Sequence, residues 1–304
     1  MEIRCIHQAR SVLSEGALWS PEEKVLYWVD QMRPELHRLD PSTGQDTRIS
    51  IDLPAQLGAV VPRACGGLVL AASDGISLLD RDLQTRVPFV NPIAALPRAS
   101  FNDAKCDRQG RLWAGTTDRR ETDEIGCLYR VDANGEATPV ATGFVCSNGP
   151  SFSPDGRTMY HTRSNERVIH SYDIDVDTGL AHSPRVFATV EAEAGVPDGS
   201  TVDAEGYLWS THWGGWRITR YAPDGRVDRV IEMPVKSPTS CAFGGDSMET
   251  LFVTSASMEF QNGTVVYMDD AGFAASPMEG GIFAIDVGIR GLPEPAFGDQ
   301  EPVG

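Results

Sequence analysis

A chain of 304 residues with 41% hydrophobic and 23% charged residues has enough apolar material for a complete core, which excludes an intrinsically disordered protein. The formal net charge of -17 produces a field that repels phosphate, so non-specific binding to nucleic acid or to an anionic membrane is excluded. We expect a cytoplasmic protein, because the N-terminus lacks a signal-peptide pattern and the six scattered cysteines contain no Cys-x-x-Cys pair.

A short apolar strand with an aromatic or bulky centre recurs along the whole chain. Its six copies are residues 26–30, 67–71, 111–115, 158–162, 207–211 and 250–254. Their centres lie roughly 42 to 49 residues apart, the length of a four-stranded propeller blade. Turn signals precede the copies, and long helical periodicity is absent. The sequence therefore predicts an all-β protein, a six-bladed β-propeller with four-stranded antiparallel blades around a central channel.

The two ends of the chain are predicted to meet. The last strand, residues 281–286, is followed only by a Gly/Pro-rich tail, so residues 2–6 are available to pair with the terminal blade. Such pairing closes the ring and removes exposed sheet edges. No linker-like segment divides the sequence, and we expect residues 1–304 to form a single domain.

Six positions share one phase in the repeat, about 11 to 13 residues before each strand centre, in the loop that enters the innermost strand. They are Glu15, Gly58, Asn102, Asn148, Asp198 and Thr239. Because equivalent positions converge on the propeller axis, two carboxylates and two carboxamides should meet at one end of the channel. These hard oxygen ligands suit Ca²⁺, Mg²⁺ or Mn²⁺, with Zn²⁺ or Fe²⁺ also possible.

A simpler interpretation exists for three of these residues. Asn102, Asn148 and Asp198 lie in Asn-Asp, Asn-Gly and Asp-Gly dipeptides, which favour turns by themselves. Their common position across the blades favours the metal site over the turn interpretation.

Five motifs, in order along nearly the whole chain, resemble the signatures of the SMP-30, gluconolactonase and luciferin-regenerating enzyme family, which includes regucalcin. The motifs are residues 14–19 (SEGALW), 101–105 (FNDAK), 147–156 (SNGPSFSPDG), 197–209 (PDGSTVDAEGYLW) and 238–245 (PTSCAFGG). The resemblance implies a six-bladed propeller with one divalent metal ion held by Glu15, Asn148 and Asp198. It also implies that Asn102 lies beside the substrate and that the reaction is hydrolysis of a sugar-acid lactone.

Opening a lactone requires a polarised carbonyl, an activated water and stabilisation of the oxyanion. We expect the ion to act as Lewis acid, Asp198 to act as catalytic general base as well as ligand, and Asn102 to orient the substrate. An attack that needs no separate base is the alternative, because a carboxylate bound to a metal is a weaker base.

Three departures from the family pattern concern the substrate. Ser100 stands where relatives commonly carry Arg, Arg163 lies where they commonly read Ala-Asp-Ser, and Arg119 lies where an acidic contact can occur. We expect these residues to contact the substrate, with the arginines binding a second anionic group such as sulfonate, carboxylate or phosphate. The alternative is that the arginines pair with Asp118, Glu121 or Glu166, as surface arginines often do.

His212 and Trp213 are predicted to line the pocket, where an aromatic wall could stack on a sugar ring. The expected partner is therefore a small sugar lactone, and the sequence makes no prediction of the oligomeric state. Two other functions compete: a non-catalytic calcium-binding propeller like regucalcin, and a hydrolase of another ester or of a phosphoester. No Gly-x-Ser-x-Gly or His-Glu-x-x-His motif occurs, which excludes the serine hydrolases and metalloproteases that carry these motifs.

Overall fold

The computed structural model describes residues 1–261 and 264–298, and these residues form six four-stranded antiparallel sheets. The predicted six-bladed β-propeller is confirmed. The prediction of a single domain over residues 1–304 stays a prediction, since residues 262, 263 and 299–304 lie outside the described part. No described helix is both long and apolar enough to cross a membrane.

The strands follow one another from the channel to the rim in each blade. The N-terminal strand is β1 (Ile3–His7). Blade 1 contains β2 (Ser14–Ser20), β3 (Val25–Asp30), β4 (Glu35–Asp40) and β5 (Gln45–Ser50). Blade 2 contains β6 (Leu57–Pro62), β7 (Leu68–Ala72), β8 (Gly75–Leu79) and β9 (Arg86–Val90). Blade 3 contains β10 (Ala99–Cys106), β11 (Leu112–Asp118), β12 (Gly126–Val131) and β13 (Ala137–Phe144).

The second half of the chain repeats this order. Blade 4 contains β14 (Ser147–Phe152), β15 (Thr158–Arg163), β16 (Val168–Ile174) and β17 (Ala181–Thr189). After a 3₁₀ turn (Ala192–Ala194), blade 5 contains β18 (Val196–Val202), β19 (Leu208–Trp213), β20 (Arg217–Tyr221) and β21 (Val227–Glu232). Blade 6 contains β22 (Pro238–Gly244), β23 (Thr250–Ser255) and β26 (Ile282–Asp286). Between β23 and β26 lie the hairpin of β24 (Met258–Gln261) and β25 (Thr264–Tyr267) and the helix α1 (Asp270–Ala275).

Strand β1 completes blade 6 and closes the ring. It pairs antiparallel with β26, with Ile3 opposite Ile285 and Cys5 opposite Phe283. The prediction that the N-terminus joins the terminal blade is therefore confirmed. The innermost strands β2, β6, β10, β14, β18 and β22 each contact the innermost strand of the next blade, and β22 contacts β2. Their common axis is the channel.

The recurring aromatic centres fill the space between blades. Trp28, Trp113 and Trp209 lie on the second strands of blades 1, 3 and 5, and each is fully buried. The repeated strand was recognisable in the sequence because the same packing position is filled in successive blades.

Two of these tryptophans each donate a hydrogen bond to a buried aspartate of their own blade. Trp113 Nε1 donates to Asp107 Oδ2 at 3.0 Å, and Trp209 Nε1 donates to Asp203 Oδ2 at 2.8 Å. Asp107 Oδ1 also accepts the backbone N–H groups of Gln109 and Arg111, which fixes the turn between β10 and β11. The carboxylate of Asp107 thus accepts hydrogen bonds both from the backbone of the turn and from the indole N–H of Trp113 on the next strand.

Every innermost strand has an irregular register near the end of the channel at which it begins. The irregularities lie between Glu15 and Leu18, Leu57 and Ala59, Phe101 and Asp103, Asn148 and Ser151, Pro197 and Ser200, and Pro238 and Cys241. Bulges of this kind re-aim side chains. The six positions that share a phase in the sequence lie at or directly beside these bulges.

We expect Asp107→Ala to lower the free energy of unfolding by about 2–3 kcal/mol, because it leaves the buried Trp113 indole N–H without an acceptor and removes two turn hydrogen bonds. Urea unfolding followed by tryptophan fluorescence measures this. Asp224→Ala, in an exposed turn where Asp224 pairs with Arg226, is the matched control and should change much less. Equal losses in the two variants would contradict the account.

Candidate active site

Four polar side chains from four blades meet at one end of the channel. Glu15 lies on β2, Asn102 on β10, Asn148 on β14 and Asp198 on β18. All four line one cavity of about 320 Å³. The sequence predicted them in the loops that enter the innermost strands, but the structure places them within the strands, at the bulges. As predicted, the four side chains lie close together at one end of the channel.

The other two positions of the same phase, Gly58 and Thr239, have neither a carboxylate nor a carboxamide side chain. Gly58 lies where β6 approaches blade 3, and a Cβ there would lie 2.3 Å from the carbonyl oxygen of Phe101. Thr239 is buried, and its hydroxyl donates to the backbone oxygen of Ser14 in blade 1 at 2.5 Å. Close packing between blades therefore uses these two positions.

The carboxyl groups of Glu15 and Asp198 are buried close to other negative charges. Burial raises the pKa of Glu15 well above its usual range, and the charges of Asp198 and Asp103 raise it further. Burial likewise raises the pKa of Asp198, with Asp103 and Glu121 adding to the effect. In the protein without metal, ionising these groups is therefore costly, and a cation among them would remove that cost.

The two amide side chains are held by hydrogen bonds. Asn102 Nδ2 donates to Asn148 Oδ1 at 2.9 Å and to the backbone oxygen of Ser147 at 3.0 Å. Asn148 Nδ2 donates to Ser164 Oγ at 2.8 Å, and Gln31 Nε2 donates to Asn102 Oδ1 at 3.2 Å. This network orients the side-chain amide of Asn148 between Asn102 and Ser164.

These residues fit a divalent metal ion by their chemistry. In the described part of the chain no three His, Cys, Asp or Glu side chains form a metal-binding group. The candidate set is different, because Glu15 and Asp198 supply carboxylate oxygens and Asn148 supplies an amide oxygen. Such hard oxygen donors suit Ca²⁺, Mg²⁺ or Mn²⁺. The burial of both carboxyl groups, Glu15 and Asp198, in one cavity is the observation that a cation would explain.

The cavity also contains charged residues that the sequence did not single out as site residues. Glu121 and Arg167 line it, together with the predicted residues Arg119 and Trp213. Burial and the charge of Asp118 raise the pKa of Glu121 to about 7. Both Glu121 and Arg167 lie in turns with a positive φ, at 52° and 56°. The only sequence signal for Glu121 was its position two residues after Arg119. No sequence signal pointed to Arg167.

Three predicted substrate contacts lie outside the lining of this cavity. Ser100 is fully buried and its hydroxyl donates to the backbone oxygen of Phe101. Arg163 pairs with Glu166 at 3.4 Å, as the alternative interpretation of the arginines had it.

His212 is the third of them. Its Nδ1 lies 2.8 Å from the backbone oxygen of Ala194, and burial lowers the pKa of its ring to about 4. These local partners, which a strand pattern does not reveal, turn the three side chains away from the cavity.

Comparisons with known proteins identify the family of the chain and its fold. Residues 13–257 match the family model for the SMP-30/Gluconolactonase/LRE-like region. The chain is 36% identical to the 6-deoxy-6-sulfogluconolactonase of Pseudomonas putida, over 97% of this chain and 98% of that protein. It is 33% identical to pentonolactonase XacC of Haloferax volcanii, over 93% of each chain. A crystal structure of regucalcin from Agrobacterium tumefaciens, described as a calcium-binding protein, superposes with a TM-score of 0.89 at 29% identity, covering 97% of each chain.

We expect the effect of Glu15→Gln on the free energy of unfolding to depend on whether metal is present. In the presence of chelator it should not lower the free energy of unfolding, because it removes one of two buried carboxylates that repel each other. Added Ca²⁺ or Mn²⁺ should stabilise the wild type by about 2.7 kcal/mol at 100 times its dissociation constant, and should stabilise the variant far less.

Thermal and urea unfolding with each metal measure these effects. Glu22→Gln, at an exposed position, is the control and should respond to metal like the wild type. Full metal stabilisation of Glu15→Gln would show that the ion binds elsewhere.

Proposed function

We propose, because the chain belongs to the SMP-30/gluconolactonase/LRE-like family, that it hydrolyses sugar-acid lactones with one divalent metal ion bound at the mouth of its channel. The observation that carries this proposal is the meeting of Glu15, Asn102, Asn148 and Asp198 in one cavity. The cavity volume of about 320 Å³ suits a small molecule, since such sites are commonly about 300–1,000 Å³. The lactonase names of two relatives support the same reaction class.

Glu15, Asn148 and Asp198 would hold the ion. A divalent cation bound there supplies Lewis-acid polarisation of the ester carbonyl and offsets the charge of the two carboxylates. The ligand chemistry favours Ca²⁺, Mg²⁺ or Mn²⁺ and leaves Zn²⁺ and Fe²⁺ to be tested.

Asp198 is the proposed general base. It takes a proton from water as the water oxygen attacks the carbonyl carbon of the lactone. The bond between that carbon and the ring oxygen then breaks, and the proton passes from Asp198 to the ring oxygen, giving the free sugar acid with one new carboxyl group and one new hydroxyl group. Asp198 lines the same cavity as Asn102, so its carboxylate lies where the substrate and the attacking water would bind.

Asn102 and Glu121 are the proposed substrate-binding groups of the inner cavity. The Asn102 amide is already oriented by Gln31 and Asn148, so little entropy is lost when it binds the substrate. Glu121 lines the same cavity and can accept hydrogen bonds from sugar hydroxyl groups. Trp213 offers an aromatic wall beside them.

We propose further that the preferred lactone carries a second anionic group, such as a sulfonate, carboxylate or phosphate. Arg119 and Arg167 both line the cavity, and Arg119 Nη2 donates to Pro97 O at 2.6 Å, which leaves its other N–H groups for a ligand. Arg167 takes the place in this proposal that the sequence gave to Arg163. The sulfonated substrate in the name of the Pseudomonas putida relative is consistent with it.

We also propose that the protein acts in the cytoplasm. The thiols of Cys127, Cys146 and Cys241 are buried in the packed interior, where reduced cysteines behave as small hydrophobic residues.

Asp198→Asn should lower kcat by about 100-fold or more, because it keeps an oxygen near the ion but removes the base. Acid release from aldonolactones is followed in an indicator assay, with spontaneous opening subtracted and with each metal restored to chelated protein. Asp224→Asn, at an exposed turn, should keep the wild-type kcat. An Asp198→Asn variant with wild-type kcat would contradict its role as base. Metal binding without any lactone opening would favour the non-catalytic calcium-binding alternative.

Arg167→Gln should reduce kcat/KM for a 6-anionic gluconolactone by about 10- to 100-fold, the loss expected for a charge-assisted hydrogen bond, and leave kcat/KM for gluconolactone nearly unchanged. Arg185→Gln, whose arginine pairs with Asp173 at the rim, is the control and should change neither value. A wild-type enzyme that shows no preference for the anionic lactone would rule out the second anionic group.

A further inference from the structure

The loop between β11 and β12 carries two of the proposed substrate-binding side chains. It comprises residues 119–125, and both Arg119 and Glu121 line the cavity. Glu121 has a φ of 52°, in the left-handed region that residues other than glycine rarely adopt. Contacts from outside the local backbone are therefore needed to hold this loop in place.

Asp118, the last residue of β11, is fixed before the loop begins. It lies opposite Ala99 in the ladder with β10, and its N–H donates to the backbone oxygen of Val145 at 3.0 Å, in the segment that connects blade 3 to blade 4. Its side chain is fully buried. The position of the Asp118 carboxylate is thus set by the blade and not by the loop.

This carboxylate accepts hydrogen bonds from several groups of the loop. Asp118 Oδ2 accepts from Asp123 N at 3.0 Å, from Thr122 N at 3.2 Å and from Thr122 Oγ1 at 3.1 Å. Asp118 Oδ1 accepts a longer bond from Arg120 N at 3.4 Å. Burial alone would raise the pKa of Asp118, but these hydrogen bonds lower it below its usual range. One buried carboxylate therefore holds the backbone on both sides of Glu121.

Backbone hydrogen bonds and Arg98 complete the support of the loop. Glu121 N donates to Asp118 O at 2.7 Å, and Arg119 N donates to Arg98 O at 3.0 Å. The guanidinium of Arg98 pairs with Asp123, and its Nε lies 3.6 Å from Asp118 Oδ1. The backbone positions from which the two cavity-lining side chains extend are therefore fixed.

We propose that Asp118 is a positioning residue that sets the affinity of the site for its substrate. It holds the loop so that Arg119 and Glu121 are in place before the substrate binds, and less conformational entropy is then lost on binding. The proposed metal ligands and the proposed base lie on other blades, so the chemical step should not depend on this loop. For its kinetic test, this inference rests on the proposed lactonase function.

The kinetic test is Asp118→Ala. This variant should raise KM for gluconolactone and for a 6-anionic gluconolactone by about 5- to 100-fold, because the substrate must then order two side chains that the free protein no longer holds. Its kcat should stay nearly unchanged, as expected when binding alone is weakened. Asp118→Asn keeps an oxygen for the N–H groups of Thr122 and Asp123 and should recover most of the lost affinity.

The matched control is Asp107→Ala. Asp107 is also fully buried, and it holds the turn at the other end of the β10–β11 hairpin by accepting the N–H groups of Gln109 and Arg111. This variant should lose stability but keep the wild-type KM. A rise in KM that occurs in Asp118→Ala alone therefore cannot be a consequence of lost stability.

Hydrogen exchange tests the inference without any substrate. The amides of Arg119 and Glu121 donate to the backbone oxygens of Arg98 and Asp118, and Asp118→Ala removes neither acceptor. Exchange at these two amides should still become faster in the variant, because the loop that carries them is no longer held. Mass spectrometry with fragmentation to single amides measures this, and Asp107→Ala should leave both rates unchanged.

Each result decides the matter. A folded Asp118→Ala variant with wild-type KM, or with unchanged exchange at Arg119 and Glu121, would overturn the inference. If Asp118→Ala does not fold, Thr122→Val, at an exposed position, removes only the hydroxyl bond to Asp118 and should speed exchange at Glu121. Unchanged exchange there would also overturn it. If the wild type opens no lactone with any metal, the proposed function fails, and hydrogen exchange alone decides whether Asp118 holds the loop.

Discussion

The pairing of β1 with β26 is the constraint on which the rest of the molecule depends. It joins the first residues of the chain to the last blade, so that six innermost strands share one axis. Residues far apart in the sequence, such as Glu15 and Asp198, are brought into one cavity by that closure. An open ring would no longer hold blades 1 and 5, which carry these two residues, around a common axis. The exposed edges of the first and last blades would also invite pairing with other chains.

Closure has an electrostatic cost at the axis. Glu15, Asp103 and Asp198 are all buried, and each of the three has a raised pKa in the protein without metal. The fold tolerates this arrangement because it is over-determined elsewhere, by packed tryptophans such as Trp113 and by turns that buried aspartates hold. Shifted pKa values of this kind cluster at functional sites, where a bound cation can offset the charge of the carboxylates. At the opposite end of the channel, Lys105 and Glu294 form an ion pair in which each charge has its partner.

The sequence predicted those features that repeat. The blade number followed from the recurrent strand, and Glu15, Asn102, Asn148 and Asp198 followed from their common phase, because a propeller places equivalent positions at equivalent distances from its axis. The residues that the sequence did not predict lie at positions that are not repeated from blade to blade. Arg167 and Glu121 reach the cavity from turns in which each has a positive φ. Residues other than glycine rarely adopt a positive φ, and no sequence pattern predicts it at these positions. Glu294 lies near Lys105 only because residues 287–298 fold back across the end of the channel opposite the cavity, and a contact over 189 residues leaves no local signal.

We propose that Glu15, Asn148 and Asp198 hold one divalent ion beside the substrate. A crystal structure of the protein loaded with Mn²⁺ and the sugar acid product, with the metal located by its anomalous scattering, tests this claim most directly. The account predicts one ion within about 2.0–2.6 Å of an oxygen from each of the three side chains, with the product carboxylate in contact with the ion or with Asn102. An ion bound away from these residues, or a product bound outside this cavity, would contradict it.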